Sequence, residues 1–272
     1  MMRSLWTAAS GMTSQQTNVD VIANNLSNIN TIGYKSETAQ FKTLLYQTIQ
    51  SKTTSANGET KPVGAQVGLG TRNASITTDF TQGSLTQTDI TTDFAIDGKG
   101  FFAIQNLDGE TVYTRDGSFN WAIGNNGGVM LCNSAGYPVL DTFGLPIELE
   151  KEYNTSLITI DADGNVCYPD EQNNPQPIGY QIGIVQFPNP NGLEKSSGST
   201  YKVTDASGEP IMEVDDDNLQ KSKIRQGYLE ASNVQTVDEM VNLIVAQRAY
   251  EMNSKAIQAA DEMLGQANQL KR

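Results

Sequence analysis

The 272-residue chain contains no histidine. That absence removes Ser-His-Asp catalysis, Cys-His pairs and every zinc site that depends on imidazole. Cysteine is scarce: Cys132 and Cys167 lie far apart without CxxC spacing, so neither a zinc ribbon nor a thioredoxin-type motif is present. Two buried free thiols and one disulfide both fit that spacing. Basic residues are also few, 18 Lys and Arg against 31 Asp and Glu, and the formal net charge is -13. Such a balance argues against nucleic acid as a partner and against docking on anionic lipid. No stretch approaches the ~20 apolar residues of a membrane span, and the opening "MMRSLWTAASGMTSQQ" lacks the apolar run of a secretory signal. The expectation is a soluble chain with no cleaved signal and no direct membrane insertion.

The charge is unevenly spread. Residues 1–45 carry three basic and two acidic groups and residues 225–272 carry five and six, so residues 46–224 hold the whole excess. Both near-neutral ends show seven-residue apolar periodicity. Leu5, Met12, Val19 and Leu26 recur at one heptad position, with Ala8, Ile22 and Ile29 at the offset; Leu243, Tyr250, Ile257 and Leu264 recur in the same way near the other end, with Ala246, Ala260 and Ala267. These are heptad seams on helices spanning about 3–29 and 236–269, uninterrupted by proline. They can pair with each other as an antiparallel hairpin or pack between subunits.

The middle alternates β-branched and aromatic residues with Asp108-Gly109, Gly127-Gly128 and Asp163-Gly164, which are hairpin signals. The fold class expected is α+β: long N- and C-terminal α-helices packing as a coiled-coil-like layer, with a central all-β domain. The division expected is 1–45 with 225–272 as the helical domain, a Ser-, Thr- and Gly-rich arm over 46–70, and a β domain over 71–224.

Candidate chemistry fails on spacing. Asp161, Asp163 and Asn165 resemble the opening of a calcium loop, but Val166 stands where the invariant Gly belongs and Gln172 where the Glu belongs, so "DADGN" reads as a hairpin turn. In "DGKGFF", Gly98 and Gly100 lack the rest of a phosphate-binding loop and read as a tight turn. The acids of "EVDDDN", Glu213, Asp215, Asp216 and Asp217, read as a solvated loop. Paired carboxylates could still serve a wall hydrolase. No catalytic, cofactor or metal site is expected.

Several long stretches then point in one direction. "AASGMTSQQTNVDVIANNLSNINTIGYKS" ends a helix in an Ala-Asn-Asn-Leu segment followed by an Asn-Thr-x-Gly-Tyr-Lys turn, built from Ala23, Asn24, Asn25, Leu26, Asn30, Thr31, Gly33, Tyr34 and Lys35. "DFAIDGKGFFAI", "YTRDGSFN" and "GYLEASNVQTVDEMVNLIVAQRAYEMNSKAIQAADEML" follow. Together they resemble the rod and hook proteins of the bacterial flagellum, and cover much of the chain.

The resemblance implies a structural, non-enzymatic subunit that polymerises with itself into a helical tube, lies in the distal part of the rod and transmits torque. Partners would be other rod and hook proteins and the flagellar export apparatus, and the location the cell envelope outside the inner membrane. The terminal helices would line the tube, with the seam residues at subunit interfaces and gaining order from neighbouring subunits, and the arm would pack between subunits. Gly33 would take the left-handed conformation of a helix C-terminus, with Asn30 satisfying freed backbone groups. Another rod or hook subunit, an exported adhesin-like β protein and a wall hydrolase are the alternatives.

Overall fold

The computed structural model describes residues 2–50, 65–124, 127–151, 153–170, 174–215 and 219–269. The fold is α+β and divides into two compact units, each assembled from separated stretches of chain. A helical unit comprises residues 1–27, 37–78 and 235–272, and a β unit comprises 28–36 and 79–234. The boundaries differ from the division expected: 28–36 and 225–234 lie in the β unit, and 71–78 in the helical unit.

In the helical unit, α1 (Met2–Ser27) and α2 (Thr236–Gln269) are the two long helices. Asp238 and Glu239 fall in the first turn of α2, where negative charge is favoured by the helix dipole. The helices run antiparallel: Gly11 lies against Asn253, and Asn25 Nδ2 donates to Glu239 Oε1 over 3.1 Å. Ala8 and Ile22 on one helix and Ala246 and Ala260 on the other are buried. A Cβ at Gly11 would sit 2.9 Å from Asn253 Nδ2, so a side chain there would displace the Asn253 amide.

A second face of α1, carrying Ser10, Ser14, Thr17 and Asn25, meets a two-stranded ladder. Its strands are β1 (Glu37–Thr43), β2 (Tyr46–Gln50), β3 (Ala65–Gly68) and β4 (Thr71–Thr78), with β1 antiparallel to β4 and β2 to β3. Leu44 N donates to Gly70 O and Leu69 N to Leu45 O, joining the two pairs into one ribbon. Ser14 Oγ lies 3.2 Å from Thr71 Oγ1, and Asn73 Nδ2 donates to Thr17 Oγ1 over 2.6 Å. Small hydroxylated residues thus let helix and strand backbones approach. The arm expected over 46–70 is strand at both ends, and its residues 51–64 lie outside the described ones.

The β unit contains β5 (Leu85–Gln87), β6 (Phe94–Asp97), β7 (Phe101–Gln105), β8 (Thr111–Thr114), β9 (Phe119–Ile123), β10 (Val129–Asn133), β11 (Glu148–Leu149), β12 (Thr159–Ile160), β13 (Asn165–Pro169) and β14 (Pro175–Gln181). It continues with β15 (Ile184–Gln186), β16 (Glu194–Lys195), β17 (Thr200–Lys202), β18 (Ile211–Met212), β19 (Lys223–Gln226) and β20 (Tyr228–Glu230). A six-stranded sheet in the order β16-β17-β8-β7-β15-β18 sits beside the three-stranded sheets β11-β10-β9 and β12-β13-β14. All three hairpin signals fall at turns between paired strands, β7 with β8, β9 with β10 and β12 with β13.

Phe94, Ile96, Phe102, Ile104, Phe119, Leu131 and Ile182 build the main core. The late strand β19 pairs with β6 and adds Ile224 to that core, while β20 pairs with β5. Cys132 and Cys167 are both buried free thiols. Burial pushes the thiol pKa of each above the ordinary value, which keeps both in the unreactive protonated form.

"EVDDDN" departs from the solvated loop expected. Glu213 is buried, and its carboxylate accepts from Ser222 N (2.6 Å), Ser222 Oγ (2.7 Å) and Gln186 Nε2 (2.8 Å). Asp215 is exposed, and Asp216 and Asp217 lie outside the described residues.

Candidate functional site: a buried ionic knot and an exposed helical face

Three of the stretches singled out in the sequence meet inside the β unit. Lys35 comes from the segment after α1, Arg115 from the turn after β8 and Glu230 from the end of β20, and all three are buried. Glu230 Oε1 accepts from Lys35 Nζ over 2.6 Å and from Gly83 N over 2.9 Å, and Oε2 lies 3.3 Å from Arg115 Nη1. Lys35 Nζ also donates to Thr81 O (2.8 Å) and Arg115 Nη2 to Gly98 O (2.9 Å). The guanidinium carbon stands 5.0 Å from the centre of the Phe101 ring, and Arg115 Nε is buried with no hydrogen-bond partner.

Burial holds the Lys35 ammonium below the usual lysine range, with the Glu230 carboxylate pulling the other way. Arg115 is lowered by burial too, yet a guanidinium remains charged in proteins. Two cations therefore share the Glu230 carboxylate in a buried site. Charges so placed are costly unless paired and hydrogen-bonded, and removing one partner is more damaging than the pair is stabilising.

The surrounding backbone is built to the same join. Gly33 has φ +66°, and a Cβ on it would lie 2.7 Å from Arg115 C and Asp116 N. Its N–H donates to Glu230 O over 2.8 Å. Asn233 Oδ1 accepts from Ser36 N (2.8 Å), and its Nδ2 donates to Asp79 O (2.9 Å).

The motif residues therefore divide their work. In the helical unit Asn25 is buried, and its amide exchanges hydrogen bonds with Glu37 N and O at 2.9 and 2.8 Å. Ala23 and Asn24 are exposed and Leu26 is half-buried. In the β unit Ile29 is half-buried, Asn30 is exposed, and Thr31 Oγ1 donates to Asn28 Oδ1. Tyr34 lies under Lys195 Nζ, 5.5 Å from the ring centre. The helix-cap expectation fails for Gly33: α1 ends at Ser27, and the left-handed glycine serves the close approach to the Arg115–Asp116 peptide.

All the seam residues expected at subunit interfaces except Ile29 lie on the two paired helices. Ile22 is buried; Leu5, Met12, Val19, Leu243 and Ile257 are half-buried; Tyr250 and Leu264 are exposed. Val19 and Tyr250, with Gln16, Gln247 and Glu251, line an open groove of about 360 Å³ between the helices. The pairing within one chain is the hairpin alternative. α2 carries a further apolar face that heptad counting did not single out: Val237 (73 % exposed), Met240, Val241, Ile244, Val245 and Met252 all point to solvent.

The two ends of the chain thus form one helical unit, and its middle forms a β unit that takes in short segments from beside both helices. Residues 5–35 match the family described as "Flagella basal body rod protein", 95–168 "Flagellar hook protein FlgE/F/G D1 domain" and 225–270 "Flagellar basal body rod FlgEFG protein C-terminal". The chain is 48 % identical over 274 residues to the "Flagellar basal-body rod protein FlgG" of Borreliella burgdorferi, with 100 % of each chain covered. Against the protein of the same name in Bacillus subtilis it is 38 % identical over 276 residues, again with 100 % of each covered. To the "Flagellar hook-basal body complex protein FlhP" of that organism it is 31 % identical over 278 residues, with 100 % of each covered. The chain belongs to the flagellar basal-body rod protein family. It is a structural subunit of the distal rod in the flagellar basal body, and the family implies assembly with other flagellar proteins into the axial structure. The adhesin-like and wall-hydrolase readings are not favoured.

Arg115, Glu230 and Asn233 are the residues of this join that the sequence did not mark. Each stands inside a quoted motif, so the signal was a charged or amide side chain fixed within a Gly- and Ser-rich strand end. Its partner could not be read from a linear sequence.

Proposed function

We propose that the chain polymerises with itself and with other rod and hook subunits into a helical tube, its terminal helices packing as a coiled-coil-like layer. The observation that carries this reading is the second apolar face of α2, centred on Ile244, which remains solvent-exposed after α1 has covered the first. An apolar strip of this kind on one subunit is stabilised by a heterologous contact with the next, and a heterologous contact that does not close generates a filament. The described ends of the expected arm, β2 and β3, pack between neighbouring subunits.

In this reading the protein has no enzymatic role. It leaves the cell through the flagellar export apparatus without membrane insertion and resides in the envelope outside the inner membrane, where the tube carries torque. Imaging of envelope preparations from a strain lacking the chain tests this. The expected result is loss of the distal rod and of everything beyond it; complete rods would overturn the reading.

A further inference from the structure

The ionic knot does more than fill the β unit with paired charge. The segment holding Gly33 and Lys35 leads out of α1, and the segment holding Glu230 and Asn233 leads into α2. Within the β unit these two segments are bound together by Gly33 N to Glu230 O, Lys35 Nζ to Glu230 Oε1 and Ser36 N to Asn233 Oδ1. Glu230 is set in place by the folded β unit, through β20 on β5, Arg115 Nη1 and Gly83 N. We infer that the knot is a clasp that makes pairing of the two terminal helices conditional on a folded β unit.

The physical reason is chain length. With the β unit unfolded, α1 and α2 are separated by about 200 residues of connecting chain; with it folded and the clasp closed, the connection shortens to about a dozen. Effective concentration falls roughly as the -3/2 power of that length, so folding the β unit with the clasp closed favours pairing by on the order of 50-fold. A chain whose β unit has not formed therefore keeps its helices apart, and completing residues 223–230 licenses their association. The inference concerns one chain and stands whether or not the tube described above is correct.

Amide exchange on the full chain, verified as a monomer, tests it with two variants. Lys35→Met combined with Asn233→Ala unties the N-terminal segment but leaves Arg115 with Glu230. Arg115→Met weakens the β unit but leaves Lys35 with Glu230. In the double variant the folded β unit still holds β20 on β5, so the connection lengthens only to about 60 residues; the Gly33 amide should exchange freely and residues 8–26 and 239–260 should lose protection by up to about 10-fold, while Phe101–Gln105 stays protected. In Arg115→Met the Gly33 amide and both helices should stay protected. Helices that keep their protection in the double variant overturn the inference, whether or not the Gly33 amide opens. So do helices and Phe101–Gln105 exchanging in parallel there, or helices opening in Arg115→Met beneath a protected Gly33.

Discussion

Lys35 and Glu230 are 195 positions apart in sequence and 2.6 Å apart in the fold, both buried. The contact ties the segment after the first helix to the segment before the last, and its energetics can be measured one partner at a time.

Replacing Glu230 with Gln keeps the shape and the hydrogen bond from Gly83 but leaves the Lys35 and Arg115 cations without their carboxylate. Breaking a buried pair in this way costs about 3–5 kcal/mol. Chemical denaturation followed by near-ultraviolet dichroism should show a loss of that size in the β unit. A loss of under about 1 kcal/mol, the range of exposed pairs, would mean that water reaches the site.

Lys35 also sets a pH dependence. Its folded pKa lies below the ordinary 10.5 because burial outweighs Glu230, so between the two values the unfolded chain binds more protons than the folded one. Stability from this group therefore rises with pH through that window. The stability difference between the natural chain and Lys35→Met should shift in favour of the natural chain as pH climbs to 10.5. A shift in the opposite direction would show that the Glu230 charge dominates.

Gly33 and Gly109 form a matched pair for testing the close approach. Both have positive φ, +66° and +81°, but a Cβ on Gly33 would meet backbone at 2.7 Å while one on Gly109 would meet nothing within 4 Å. Alanine at 109 should cost only the left-handed strain, about 1–2 kcal/mol. Alanine at 33 should cost clearly more, read as a larger fall in melting temperature. Equal losses would remove the steric role assigned to Gly33.

Much of this was legible in the sequence, and the misses have physical causes. Heptad spacing located both helices to within two residues at every end, because apolar periodicity and the absence of proline are local. Hairpin glycines marked the turns for the same reason. The ionic knot was invisible because Lys35, Arg115 and Glu230 are charged residues in polar surroundings, and burial is decided by chain segments far away. Glu213 was misread as solvated for that reason. Gly33 was recognised as left-handed but assigned to the wrong task, since a helix cap and a backbone close approach demand the same φ. The outward face of α2 was overlooked because Val237, Val241, Ile244 and Val245 fall between heptad positions.

Ile257 tests the inner seam. It is half-buried on the α2 face that meets α1, where an aspartate would forfeit roughly 1.5–3 kcal/mol of apolar burial and add a desolvated charge. Ile257→Asp should release the helix pair and abolish assembly while the β unit melts at an unchanged temperature. Earlier melting of the β unit would place α2 within that unit's core.

Ile244 tests the outer face, and with it the central claim that the chain is a subunit of a tube held together by its helical unit. Because Ile244 is 56 % exposed in the single chain, aspartate there should leave the monomer's melting temperature and helix protection unchanged. Electron microscopy of basal bodies from a strain whose only copy carries Ile244→Asp is the decisive measurement. Rods truncated before their distal part, from a protein that is produced and folded, are the result expected. Complete, straight rods containing the substituted chain would contradict the account.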